Sequence, residues 1–324
     1  MGGTALTRRR VLGALGGVGA AALGVAATTG ASADDEWNAV GSPTGNAIND
    51  VTHTSGMAHA VGSSGLVLRR VAGEWSIHTD EGAGRSKTLE ACDTTRGGDR
   101  LWFCGASGTV GALDVESGEV TSHSKPIEAG NGFTDVAVAG SVGGERVYLA
   151  SSSGTVVVGH HGKKGMTWTK RDTGASDTVT AVDFHTRERG HAVTNGSAVY
   201  RTTDGGATWE WVGIEDAQVP LKDVSSGARH VYVAGGAGRV FRLDCRCRRW
   251  TPFKAGSVTI SAFERTADRL LGAGGSGNVV EPSDTGYTLY GTATGNHLNG
   301  VAIGEEYEPD VVVGDSGAIL ERRV

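Results

Sequence analysis

The sequence predicts an all-β, seven-bladed β-propeller whose ring is closed by its own N-terminal strand. Three observations carry this prediction. A glycine-turn motif between two apolar runs occurs seven times at a spacing near 40 residues. A second apolar motif precedes each copy, also seven times. A third element, usually a Trp-bearing run, follows six copies only, and the missing one stands at the other end of the chain.

The turn motif appears as Val61-Gly-Ser-Ser-Gly65-Leu-Val-Leu and ends the series as Val313-Gly-Asp-Ser-Gly317-Ala-Ile-Leu. Its anchor glycines are Gly65, Gly108, Gly154, Gly196, Gly238, Gly277 and Gly317, at steps of 43, 46, 42, 42, 39 and 40 residues. A run of apolar residues broken by Gly-rich turns reads as hairpins of short strands. The preceding motif is an apolar residue, two intervening positions and a second apolar residue. It runs from Ile48-Asn49-Asp50-Val51 and Leu89-Glu90-Ala91-Cys92 through to Leu298-Asn299-Gly300-Val301. The following element carries Trp75, Val120, Trp168, Trp209, Trp250 or Leu289. The seventh unit stops at Val324 without it, while Glu36-Trp37-Asn38-Ala39-Val40 stands alone near the start. A period of about 40 residues with four strands per unit is that of a propeller blade. The stray strand supplies the fourth strand of the last blade, so residues 36–45 complete the blade built from 298–324. Closure of this kind removes an open sheet edge.

Residues 1–33 read as an export signal and 34–324 as one propeller domain. Thr7-Arg8-Arg9-Arg10-Val11-Leu12 has the form of a twin-arginine signal, followed by a weakly apolar stretch to about Ala27 and by Ala31-Ser32-Ala33. The expectation is export by the twin-arginine route to the exterior or cell surface, with membrane attachment only if the signal is retained. The formal charge is −6, and the three arginines of residues 1–33 leave −9 on the rest. This acidic balance speaks against general nucleic-acid binding.

Of the four cysteines, Cys92 and Cys104 lie on two runs joined by a turn, which leaves open either a cross-strand bridge or free thiols. Cys245-Arg246-Cys247 is too closely spaced for an unstrained bridge. The sequence suggests no metal site and no cofactor: His160-His161, the one close His pair, is expected in a loop with few other ligands near it.

One turn is written most fully, Thr202-Thr203-Asp204-Gly205-Gly206-Ala207-Thr208-Trp209. It resembles the Asp-box of BNR repeats, with Thr202, Asp204, Gly206, Thr208 and Trp209 at the specified positions. A short acid side chain can accept backbone N–H groups in such a turn, so these five residues are read as structural. Taken with Leu221 to Phe241, the chain from residue 36 on resembles the photosystem II stability/assembly factor group of seven-bladed propellers. That resemblance implies an exported, non-catalytic, protein-binding propeller, expected as a monomer, whose partner is a protein or a cell-surface component.

The competing expectation is a secreted carbohydrate-active hydrolase, sialidase- or glycosidase-like. Phe241-Arg242-Leu243-Asp244 only partly echoes the sialidase opening motif, in the fifth unit instead of the first. Asp50, Glu90, Asp135, Asp183 and Asp223 lie on or near innermost strands, where two carboxylates could serve a glycosidase. Acids placed by the repeat are read instead as structural, bonding an adjacent turn, and no catalytic residue is assigned. Ligand or partner contacts are expected at one mouth of the channel, in the loops that lead into the innermost strands: Asn46, Arg85, Asn131 and Asp177, then Gln218, Ser257, Asn296 and His297.

Overall fold

The computed structural model describes residues 36–79, 86–127, 132–162, 165–214, 217–284, 286–305 and 307–323. The export-signal segment, Arg85 and Asn131 lie outside these residues. Seven four-stranded antiparallel sheets make up the fold. Their innermost strands are Ile48–Thr54, Leu89–Thr94, Phe133–Ala139, Val179–Phe184, Leu221–Ser225, Ile260–Arg265 and Leu298–Ala302, which define blades 1 to 7. In blades 1 to 6 the four strands follow in chain order. In blade 7 the outermost strand is Asn38–Ala39, paired antiparallel through Asn38 with Glu321 and Ala39 with Leu320. The ring is therefore closed by the N-terminal strand.

Each junction between neighbouring blades holds its own apolar cluster. The outermost aromatic of one blade packs back toward the blade before it: Trp75 into the 7/1 cluster, Trp37 into 6/7 and Trp250 into 4/5. Alternation along each strand sends one set of side chains to each neighbouring junction. A single blade could not bury both faces, so the stacked ring is the unit of stability.

In blades 1, 2, 5, 6 and 7 the turn between second and third strands is a short helical turn with consecutive positive φ values. Ser64 (65°) and Gly65 (77°) show it in blade 1. At the last copy, a Cβ on Gly317 would sit 2.0 Å from the Thr44 carbonyl oxygen, so backbone of the closing segment occupies the space a side chain would need.

One point that the sequence left open is resolved, and one expectation changes. Cys92 and Cys104 are buried and not bridged to each other. Cys92 pairs with Phe103 and Cys104 with Ala91, an offset of one residue. The two thiols therefore point to opposite faces of blade 2, one into the 1/2 cluster and the other into the 2/3 cluster. His160 and His161 end the strand Thr155–Gly162 instead of sitting in a loop. Successive strand residues diverge: His160 Nε2 lies 3.0 Å from Thr167 Oγ1, and His161 Nε2 lies 3.1 Å from Glu145 Oε1.

Candidate functional site

A small cavity on the ring axis is lined by the starts of the innermost strands. In all seven blades the pairing of the first two strands slips between the first and third residues of the motif, as between Ile48 and Asp50 or Leu298 and Gly300. A bulge of this kind leaves one residue unpaired and re-aims its side chain. Here the skipped second residue turns into the channel, which encloses about 90 Å³.

Four of these residues are tied down. Asn49 Nδ2 donates to Leu89 O at 2.8 Å and Thr134 Oγ1 to Val179 O at 2.6 Å. Thr180 Oγ1 donates to Leu221 O at 2.9 Å and Asn299 Nδ2 to Ile48 O at 3.1 Å. Each bond runs from one blade to the first motif residue of the next. Ser261 Oγ lies 2.7 Å from His297 Nε2. The other two, Glu90 and Lys222, are exposed charges of opposite sign in blades 2 and 5. Burial around the base of Glu90 pushes its carboxyl above the usual range.

The recurring acids do a different job from the one expected. They bond strand backbone across a blade junction, not an adjacent turn. Asp50 Oδ1 accepts Val51 N at 2.9 Å and its Oδ2 accepts Cys92 N of blade 2 at 2.9 Å. Asp135 and Asp223 repeat this pattern toward Val182 and Phe263. In the even blades the acid sits two residues later. Asp93 Oδ2 accepts Val138 N, Asp183 Oδ2 accepts Ser226 N, and Glu264 Oε2 accepts Ile303 N, at 2.7, 2.6 and 2.6 Å. Six junctions are thus stitched by a carboxylate, from the third motif position in odd blades and the fifth in even blades. Charge-assisted bonds to backbone N–H groups hold these acids as acceptors, which leaves them poorly placed to exchange protons with a substrate.

The residues expected at the mouth lie above this ring. Asn46, Asp177, Gln218 and Ser257 are exposed in the loops that enter blades 1, 4, 5 and 6. Asp177 reaches over the blade 4 turn, where a Cβ on Gly196 would sit 2.0 Å from its Oδ2. Asn296 Nδ2 donates to Asp315 O at 3.1 Å, and His297 reaches the ring through Ser261. The channel-lining residues themselves lie two to five positions further along the chain than those expected. Their signal was present, as the second position of every motif copy, but the bulge that turns them inward is not written in residue type.

On the outer side, Thr202 to Trp209 forms a closed hydrogen-bonded turn. Asp204 Oδ1 accepts Thr202 Oγ1 at 2.8 Å and Thr208 N at 2.9 Å, and its Oδ2 accepts Thr208 Oγ1 at 2.6 Å. Gly206, at φ 82°, donates its N–H to Thr202 Oγ1 at 2.9 Å. Trp209 stands just before the outermost strand Glu210–Trp211 and meets Phe184 edge to face at 6.0 Å. Among the described residues, no group of three or more His, Cys, Asp or Glu side chains is placed to hold a metal ion.

No protein family matches the chain, and no curated protein does. Its fold is shared with solved propellers. YCF48 bound to a D1 peptide superposes with a TM-score of 0.71, covering 92% of this chain and 100% of that one at 14% identity. YCF48 from Cyanidioschyzon merolae gives 0.66, covering 89% and 98% at 15% identity. Virginiamycin B lyase from Staphylococcus aureus gives 0.74, covering 89% and 99% at 11% identity. At these identities the likeness concerns the seven-bladed fold.

Proposed function

We propose that this chain is an exported, non-catalytic propeller that binds a protein partner, in the manner of an assembly-factor scaffold. On this reading residues 1–33 direct twin-arginine export, residues 34–324 form the exported domain, and the protein works outside the cytoplasm or at the cell surface as a monomer. The supporting observation is the state of the channel mouth. Its repeated acids are taken up by backbone N–H groups of the next blade. What faces outward is a fixed polar ring with one exposed anion, Glu90, and one exposed cation, Lys222. Such a surface offers matched charges to a polar peptide segment. The peptide seen with YCF48 is a precedent on the same fold.

Site-directed photocrosslinking tests the reading. A photoreactive side chain at Gln218 or Ser257 should capture one discrete partner from the exported fraction, and Lys222→Glu should reduce the yield several-fold. Arg8→Lys with Arg9→Lys should leave the protein in the cytoplasm. No discrete crosslink at either position, together with cleavage of chains in an oligosaccharide panel, would replace this reading with the hydrolase.

A further inference from the structure

A second opening lies away from the channel, along the side of the ring between blades 4 and 5. It consists of two connected basins of about 510 and 580 Å³ that share Trp211, Val212 and Arg248. One basin lies beside the turns at the end of the ring opposite the channel mouth. The other climbs the flank between the outer strands. The space exists because the outermost strand of blade 4 is only two residues long, Glu210–Trp211, while that of blade 5, Arg249–Lys254, has six.

The floor of the upper basin is apolar, formed by Val212, Ile214, Phe241, Trp250 and Pro252. Trp250 is fixed there by donating its indole N–H to Val212 O at 3.2 Å. Trp211 is different. It is 57% exposed, and the outer end of its six-membered ring lies against Gly213, where a Cβ would come within 2.8 Å of the ring. Gly213 has φ 66°, so only glycine fits this pose comfortably. Part of the indole is thus covered by the Gly213 backbone, and the rest is exposed along the groove. An exposed, oriented Trp is the kind of side chain that anchors protein contacts.

The walls are cationic. Residues 239–254 carry six basic groups and one acid in a chain whose net charge is −6. Arg239, Arg248 and Arg249 line the upper basin. Glu210, the one acid in the groove lining, is already engaged. It pairs with Arg201 at 2.5 Å and with Arg248 at 3.2 Å, which aims Arg248 beside Trp211.

We propose that the groove between blades 4 and 5 docks an extended acidic segment of a partner protein, laying an apolar side chain of that segment on Trp211 and its carboxylates on Arg239, Arg248 and Arg249. Charge complementarity selects the occupant: cations flank an apolar floor, so carboxylates must alternate with apolar groups. A polyphosphate backbone offers nothing to that floor and meets an acidic protein beyond it. The inference rests on the partner-binding reading but not on the channel mouth.

The test uses the full exported chain and an eight-residue synthetic peptide alternating glutamate with leucine. Its controls are the lysine–leucine counterpart and a single-stranded DNA oligonucleotide. The glutamate peptide should bind saturably and shield Trp211 from acrylamide quenching, and neither control should compete. Arg248→Glu with Arg249→Glu should weaken binding about tenfold, the scale of reversing two exposed charges. Gly213→Ala should weaken it with every charge in place, because it displaces the indole. Arg69→Glu, the same kind of charge change on blade 1, should leave affinity unaltered. Absence of saturable binding, equal binding of the lysine peptide, DNA competition, or indifference to the double reversal would each overturn the proposal. None of these outcomes touches the crosslinks expected at the mouth, so the two readings fail separately.

Discussion

Six of the seven blade junctions differ from the seventh in how their innermost strands are joined. From blade 1 through to blade 7 a carboxylate of one blade accepts a backbone N–H of the next, from the third and the fifth motif positions in turn. The third position accordingly reads Asp50, Ala91, Asp135, Ala181, Asp223, Ala262. An acid there in one blade requires a small neighbour in the next. Seven is odd, so blades 7 and 1 would both claim the same step. Blade 7 has Gly300, where a Cβ would lie 2.7 Å from Asp50 Cα. Val51 N, the amide a stitch from blade 7 would need, is already held by Asp50. The 7/1 junction is joined differently, by other side-chain bonds. Glu321 accepts both Arg70 Nε and Nη2, at 2.6 and 2.7 Å, and Trp75 Nε1 at 2.8 Å. His53 Nε2 donates to Pro309 O at 3.0 Å. A two-step pattern on an odd ring forces one junction to be built by other means.

The comparison is broken most severely at a stitch. Asp135→Ala removes the acceptor for two buried N–H groups, Val136 and Val182, and should cost about 4 kcal/mol. At the other kind of junction, Glu321→Ala strands a nearly buried guanidinium and an indole N–H. It should cost about 3 kcal/mol, near the low end for breaking a buried pair. Urea unfolding of both variants measures the difference. Repeating it in about 1 M salt sharpens the contrast, because screening should shrink the Glu321 effect and leave the Asp135 effect in place. Equal salt sensitivity would mean that the two junctions are not physically distinct.

The third prediction uses pH on the 7/1 junction. Burial pushes the His53 imidazole down to about 4. Its Nδ1 faces Glu308 Oε2 at 3.3 Å, but this is not an ion pair at neutral pH, because the imidazole is then neutral. The folded chain therefore takes up the proton later than the unfolded chain as pH falls. Stability from this group is whole above the unfolded value near 6.5 and declines as pH falls toward 4, by about 1.4 kcal/mol per unit, or about 2 kcal/mol by pH 5. His59, pushed down to about 3 mainly by burial, adds a second slope inside blade 1. In a series of urea midpoints from pH 7 to 5, His53→Gln should remove its part of the slope. An unchanged profile would show that the junction does not govern acid sensitivity.

The fold was legible because its determinants are local and repeated: glycines at turns, apolar pairs at strand starts, and one strand displaced from the end of the chain to its beginning. The alternation of Asp and Ala at the third motif position was visible too. Its meaning was not, because the amide that each acid binds lies about 40 residues away on a neighbouring sheet. The mouth was placed slightly too high for a similar reason. Asn49, Glu90 and Lys222 face the channel through a bulge, and no residue type announces a bulge. The groove beside Trp211 was hidden altogether, since it depends on how short one outer strand is relative to its neighbour.

The smallest effect is expected at the outer turn, where an aspartate also gathers backbone and hydroxyl donors but does so in water. Asp204 and Asp135 both accept a main-chain N–H, yet Asp204 is exposed and every partner of its carboxylate belongs to the same turn. Burial raises its carboxyl, and the bonds from Thr208 and Thr202 together outweigh this, holding it below the usual carboxylate range. A depressed carboxyl contributes stability above its unfolded value and loses it as pH falls through the folded one. Asp204→Ala should therefore cost about 1 kcal/mol at neutral pH, the net worth of an exposed cluster of bonds whose donors water can satisfy. That difference should fade below about pH 4, where the native carboxyl protonates as well. Thermal melts at pH 7 and pH 3 measure it. A loss at pH 7 as large as that of Asp135→Ala would mean that this turn bears on a blade junction, and the distinction between an inner ring of stitches and an outer ring of self-contained turns would have to be abandoned.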